Sequence, residues 1–339
     1  MGQFVDKNGG AEAFAGVRPH MEYADIAFVN LEGAISDTGT RNEFKDYTFR
    51  ARPALVDGLV SAGINVVSLA NNHSLDYRWA ALKDCMARLD AVGIGHPGAG
   101  PSLAEASAPV LLTTPAGTVA VIAAQEVNQG FAAKSDQAGT YYTSSPNKTL
   151  LATVAAANQQ ADFVIVSLHW GVEYAANAGP HQQGLARRLV DAGADLILGH
   201  HPHVIQALEV YNNRLIAYSL GDFVFDHYSV VTGQAFVLQV TLPLEGPPSA
   251  RIVPVYLSDS YGIPAVVTGA KADAILDRLT KLSAVHGLEL IRDGDIAYFG
   301  TPFTPTDLAA ATTTTLAAAT TTSVPTTTTT HAPTTTTSP

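Results

Sequence analysis

The sequence predicts an α/β protein built on a largely parallel sheet. Three observations carry this: short apolar runs alternate with amphipathic stretches, three of those stretches end in glycine just ahead of the next apolar run, and 47% of the 339 residues are apolar while only 14% are charged. That is enough apolar material for one large or two ordinary domains.

Taken in order, strands are expected at Ile26 to Val29, Val66 to Leu69, Val119 to Ala123, Phe163 to Leu168, Leu196 to Leu198 and Leu215 to Tyr218. Helices are expected near Pro53 to Ala62, Trp79 to Val92, Leu150 to Ala161 and Gln182 to Ala192. Gly63, Gly93 and Gly193 stand where a left-handed C-cap is wanted, which fixes the ends of three of these helices. Strands joined by helices run parallel and are buried on both faces, so continuous apolar runs are the form they take. The later runs Ala235 to Leu242 and Ile252 to Leu257 have only a turn around Gly246-Pro247-Pro248 between them. They read as an antiparallel pair from a second sheet layered on the first, and Ala270 to Val285 reads as one more helix.

The folded domain is expected to occupy residues 1–306. Beyond it, runs such as Thr326 to Thr330, broken by alanine and proline, cannot bury enough apolar surface to offset the entropy of ordering them, so Asp307 to Pro339 is expected to be a disordered tail. Thr/Pro-rich composition is typical of stalks outside the membrane, which points to a cell-surface setting. A formal charge of −11 argues against nonspecific nucleic-acid binding. The single cysteine, Cys85, excludes an intramolecular disulfide framework. No apolar run is long enough to span a membrane, and Met1-Gly2-Gln3-Phe4-Val5-Asp6 has neither the basic region nor the apolar core of a signal peptide.

The chemistry is expected at strand ends. Ile26 to Val29 runs into Asn30-Leu31-Glu32, Val66 to Ala70 into Asn71-Asn72-His73, Val164 to Leu168 into His169-Trp170-Gly171, and Leu196 to Gly199 into His200-His201-Pro202-His203. In an extended backbone alternate side chains share a face, so His201 and His203 are expected to point together and His200 away. Alone, that pair would equally suit a histidine-rich loop or satisfied core histidines. Ligands bind outside the carboxyl ends of strands in open α/β sheets, however, so the four clusters are expected on one rim. Glu32, Asn72, His73, His169, His201 and His203 would there offer a bridging carboxylate, an amide oxygen and several imidazoles to two divalent ions about 4 Å apart. Such a pair makes hydroxide available near neutrality and stabilises charge on the attacked centre. His73 could instead face substrate and protonate a leaving oxygen, or merely support its neighbours by hydrogen bonds. Arg50 and Arg52 could hold an anionic group by forked hydrogen bonds, or be a solvated pair ahead of the helix starting at Pro53.

Asn30-Leu31-Glu32, Ser68 to Tyr77, Ser167 to Tyr174, Gly199 to His203 and Tyr218-Ser219-Leu220-Gly221-Asp222-Phe223 occur in the order of the signature blocks of the CapA family, which this sequence resembles from about Ala11 to Phe225. These are poly-gamma-glutamate capsule biosynthesis proteins of the calcineurin-like metallophosphoesterase superfamily. The resemblance implies a four-layer αββα sandwich with a dimetal site at the strand ends. By motif, Glu32 would bridge, Asn72, His169 and His201 would ligate one metal, His203 would serve the other, and His73 would face substrate. Manganese, iron and zinc all suit such donors.

Two departures stand out. Nothing matches the superfamily's opening strand and its Gly-Asp ligand block, so either the sequence starts late, lacking a signal and the first strand, which is the expectation, or the site is incomplete. Asp222 replaces a common asparagine, and its carboxylate would either tighten metal binding or repel an anionic substrate. The function implied is a CapA-like protein with a metal-dependent hydrolase-like centre. It would act on an anionic capsular polymer or its precursor outside the cytoplasm, in association with membrane capsule-synthesis machinery. A phosphomonoesterase or phosphodiesterase unrelated to capsule, and a noncatalytic polymer-binding or assembly factor, are the alternatives. Substrate identity would lie in loops such as Val127 to Tyr142 and Ser258 to Val267, which carry no readable code.

Overall fold

Phe163–His169 lies at the centre of a six-stranded sheet, and all seven of its residues are buried. A computed structural model, describing residues 2–301, pairs it in parallel with Gly117–Gln125 on one side and Leu196–His200 on the other. Arg214–Ala217 extends the parallel run, and the antiparallel strands Val110–Thr114 and Leu208–Tyr211 close the two edges. The expected tail, Asp307 to Pro339, lies outside the described residues.

Alternation along Phe163–His169 decides what each face does. Val164, Val166 and Leu168 pack with Leu150, Val154, Leu185 and Leu189 of the helices Lys148–Ala157 and Pro180–Asp191. Phe163 and Ile165 point the other way, into a core shared with Phe236, Ile252, Ala297 and Phe299 of a second, antiparallel sheet. His169 has the parity of Phe163 and Ile165, so it emerges on the side between the sheets. The second sheet contains the expected pair, Gln234–Thr241 against Ser249–Leu257, joined by Pro264–Val266, Ile296–Phe299 and Ile291–Asp293. The helix Ala270–Ala284 buries Ile275, Leu276 and Leu279 in the same core.

On the far side, Leu55–Ser61 and Arg78–Asp90 pack Leu59, Leu82 and Leu89 with Val255 and Leu257 of the second sheet. Helices, two sheets and helices therefore form the four layers of the expected αββα sandwich. The three glycine-ended helices close alike: Ile64, Ile94 and Ala194 each donate a backbone hydrogen bond to the carbonyl five residues back, past a glycine of positive φ.

The expected first two strands correct one detail of the sheet. Phe28–Asn30 and Val66–Ser68 pair in parallel with each other, forming a sheet of two strands apart from the six-stranded one. Their apolar runs are too short to show which sheet they join. Val66 and the half-buried Phe28 nevertheless reach the core between the layers, so the polar ends of this small sheet arrive beside those of the large one.

Candidate metal centre

Three neighbouring strands end level. His169 is in register with Gln125 on one side and with His200 on the other, so their side chains leave the large sheet at one height. The small sheet ends at Asn30 and Ser68, and the following turns deliver Glu32 and Asn72. Asn71 fixes both turns, donating to the Leu31 carbonyl at 2.8 Å while its Oδ1 accepts from the His73 backbone at 3.0 Å.

Glu32 sits at the middle of the resulting cluster. Its Oε1 is buried with no hydrogen-bond partner among the described residues, and lies 3.7 Å from His203 Nε2, 3.8 Å from His169 Nε2 and 4.0 Å from His73 Nε2. Those separations are too long for hydrogen bonds. They suit donors that share a cation, since each would stand about 2 Å from it. Asn72 Oδ1 is 2.7 Å from His169 Nε2, and the Nδ1 atoms of His169 and His201 are buried without partners. Glu32, His169 and His201 form one group whose ligand atoms lie within 4.8 Å of one another, and Glu173, His201 and His203 form a second.

The protonation states follow from burial and neighbouring charge. Burial holds His169 well below the ordinary imidazole range and His201 down to about 4, with nearby imidazoles adding to both, so their lone pairs are free. Burial would also lower His203, but its hydrogen bond to Asp222 and the charges of Glu32, Asp222 and Glu173 outweigh that and raise it to about 9. Glu32 is pushed up to about 7, chiefly by burial. A buried carboxylate oxygen without a hydrogen-bond partner, ringed by imidazole nitrogens, is a donor set that fits a divalent cation.

The expected residues arrive, though not all by the expected route. The strand stops at His200, and His201 and His203 have φ of 96° and 57°, so their convergence comes from two left-handed turn residues and not from strand alternation. Their rings stand 6.0 Å apart. His200, in register with His169, shares its face of the sheet but stands in neither candidate metal group; its ring lies 5.9 Å from that of Phe28, and burial lowers it to about 3. His73 is held by Asp76, whose Oδ2 accepts from Nδ1 at 2.6 Å; the proton on Nδ1 leaves Nε2 facing Glu32. Arg50 and Arg52 are engaged elsewhere: Arg50 donates to the Thr38 carbonyl at 2.9 Å and lies over the Tyr77 ring, and Arg52 pairs with Asp6 at 3.2 Å.

Four residues went unassigned from sequence or were left open. Lys45 brings a cation beside His73, its ammonium 2.6 Å from both the Asn72 carbonyl and Asp76 Oδ1. Asp76 and Glu173 lie inside quoted motifs without having been given roles. Asp222 is settled by contact: its Oδ1 accepts from His203 Nδ1 at 2.7 Å, which fixes that ring's orientation and turns Nε2 toward Glu32. Phe49 stacks 4.1 Å from His73 and Phe225 5.1 Å from His203, walling the same side. Because Asp222 orients a candidate metal ligand, Asp222→Asn is expected to weaken metal binding by about 10-fold or more, read by calorimetry.

The family model of bacterial capsule synthesis protein PGA_cap matches residues 2–227. This chain belongs to the PGA_cap family. All the residues of the cluster lie within that match. Among PGA_cap relatives, the chain is 31% identical over 288 residues to the PGA biosynthesis protein CapA of Bacillus subtilis, covering 83% of this chain and 75% of that one. It is 31% identical over 288 residues to the capsule biosynthesis protein CapA of Bacillus anthracis, covering 82% and 69%. A solved structure of a novel phosphatase from Mycoplasma pneumoniae aligns with a TM-score of 0.43 at 12% identity, over 76% of this chain and 86% of that one. That likeness carries no argument about function. Among the described residues, no helix is long and apolar enough to cross a membrane.

Proposed function

We propose that this PGA_cap protein acts in the cell envelope on an anionic capsular polymer or its precursor, through a metal-dependent hydrolase-like centre. The observation that carries the reading is Glu32 Oε1, buried and unpartnered within 4.0 Å of three imidazole nitrogens. The names of the Bacillus relatives support the capsule setting. Glu32 would bridge two divalent ions, with Asn72, His169 and His201 on one and His203 on the other. Bound there, divalent ions supply Lewis-acid polarisation and a more acidic water. The chain's own part is to hold that arrangement and to handle the proton. His73, its Nδ1 fixed by Asp76 and its pKa lowered mainly by burial, keeps Nε2 free to carry a proton to or from the reacting atom. Lys45, its ammonium 2.6 Å from Asp76 Oδ1, holds that carboxylate directed at His73. Association with membrane-bound synthesis machinery is part of the same proposal.

Metal binding is tested first. Manganese is expected to raise the melting temperature in a concentration-dependent way, approaching about 2.7 kcal/mol of stabilisation at a hundredfold excess over Kd, and a chelator to reverse it. The purified protein with manganese is then offered poly-gamma-glutamate and a model phosphoester. Turnover of the phosphoester alone favours a phosphoesterase unrelated to capsule, and metal binding without turnover of either favours an assembly factor.

A further inference from the structure

We infer that Glu173 supplies a carboxylate ligand to the second cation position, together with His203, at the exposed edge of the centre. This rests on the metal-centre reading above and adds a residue to it. The ligand atoms of Glu173, His201 and His203 lie within 4.8 Å of one another, and His201 also stands in the group with Glu32 and His169, so the two positions adjoin.

The backbone around Glu173 is arranged for that task. Its neighbour Tyr174 has φ 64°, and His201 and His203 have φ 96° and 57°, so three residues with side chains occupy left-handed backbone around one point. Such conformations cost about 1 kcal/mol or more each and persist where the surroundings dictate them, commonly at functional sites. Two hydrogen bonds clamp the turn that carries Glu173 to the histidine loop. Tyr174 N donates to the Pro202 carbonyl at 2.7 Å, and Gln206 Nε2, from a fully buried side chain, donates to the Ala175 carbonyl at 2.8 Å. The Tyr174 ring lies 6.1 Å from that of His203. Imidazole with carboxylate is also a donor set suited to manganese, iron or zinc.

Glu173 is exposed, so Glu173→Gln leaves the fold intact, which circular dichroism verifies. Manganese is titrated into the full chain by calorimetry, with bound ions counted by elemental analysis, for the native protein, Glu173→Gln and Glu173→Asp. The native protein is expected to bind two ions. Glu173→Gln is expected to hold one as before and to bind the other at least about tenfold more weakly, while Glu173→Asp recovers part of that loss. If Glu173→Gln binds two ions as tightly as the native protein, Glu173 is no ligand and the rest of the centre stands. A Glu173→Gln protein that loses both ions equally overturns its assignment to a second position. A native protein that binds fewer than two ions overturns this inference and the two-ion reading together.

Discussion

His201→Ala is expected to fold normally and to lose at least about a thousandfold in turnover, which corresponds to about 4 kcal/mol of transition-state stabilisation. His201 would ligate the first ion, and its ligand atom also lies within 4.8 Å of those of Glu173 and His203, so its removal disturbs the whole centre. The fold should tolerate the change because the buried Nδ1 of His201 makes no hydrogen bond among the described residues that alanine would break. Without metal the melting temperature should therefore stay the same or rise, and the increase produced by manganese should shrink or vanish. Melting curves with and without metal, run beside the activity assay, separate this from simple unfolding. Unchanged turnover in a folded His201→Ala protein would sink the catalytic reading.

Gly199→Ala is expected to destabilise the protein by about 3 kcal/mol or more, the upper end of what overpacking costs. Gly199 lies in the strand just before the histidines, where a Cβ would overlap the carbonyl oxygen of Tyr218 and come within 2.6 Å of Trp170 Nε1. Those two atoms are hydrogen-bonded at 3.1 Å, so the neighbouring strand or the indole must move. Either movement shifts His200 and His201, and metal affinity should fall along with stability. Urea denaturation gives the first effect and calorimetry the second. Gly184→Ala is the control: it lies in the helix Pro180–Asp191 with open space around it, and the change should be neutral or add up to about 1 kcal/mol.

What was legible in the sequence follows from how local each signal is. Phe163–His169 is buried on both faces and so reads as an unbroken apolar run, whereas the edge strand Val110–Thr114 alternates weakly between half-buried and exposed and passes for loop. Glu32, Asn72, His73, His169, His201 and His203 were visible because each follows an apolar run directly. The convergence of His201 and His203 was anticipated through strand geometry, but left-handed backbone at both residues produces it, and periodicity carries no such information. Lys45 sits in an irregular stretch, and its tie to Asp76 spans 31 positions of chain, so nothing local announces it. Glu173 had one signal available, its place four residues after a strand-end histidine.

Glu32 and Asn72 follow the two-stranded sheet, while His169, His201 and His203 follow the six-stranded one, and no backbone ladder joins the two. Among the described residues, backbone bonds connect them only through the segment of residues 95–98 and Tyr141, so ions gripped from both would add a direct crosslink at the strand ends. Chelation should therefore accelerate amide exchange first in Phe28–Asn30 and Val66–Ser68, leaving the long central strands protected. The centre would then serve as a rivet in the architecture as well as a place for chemistry.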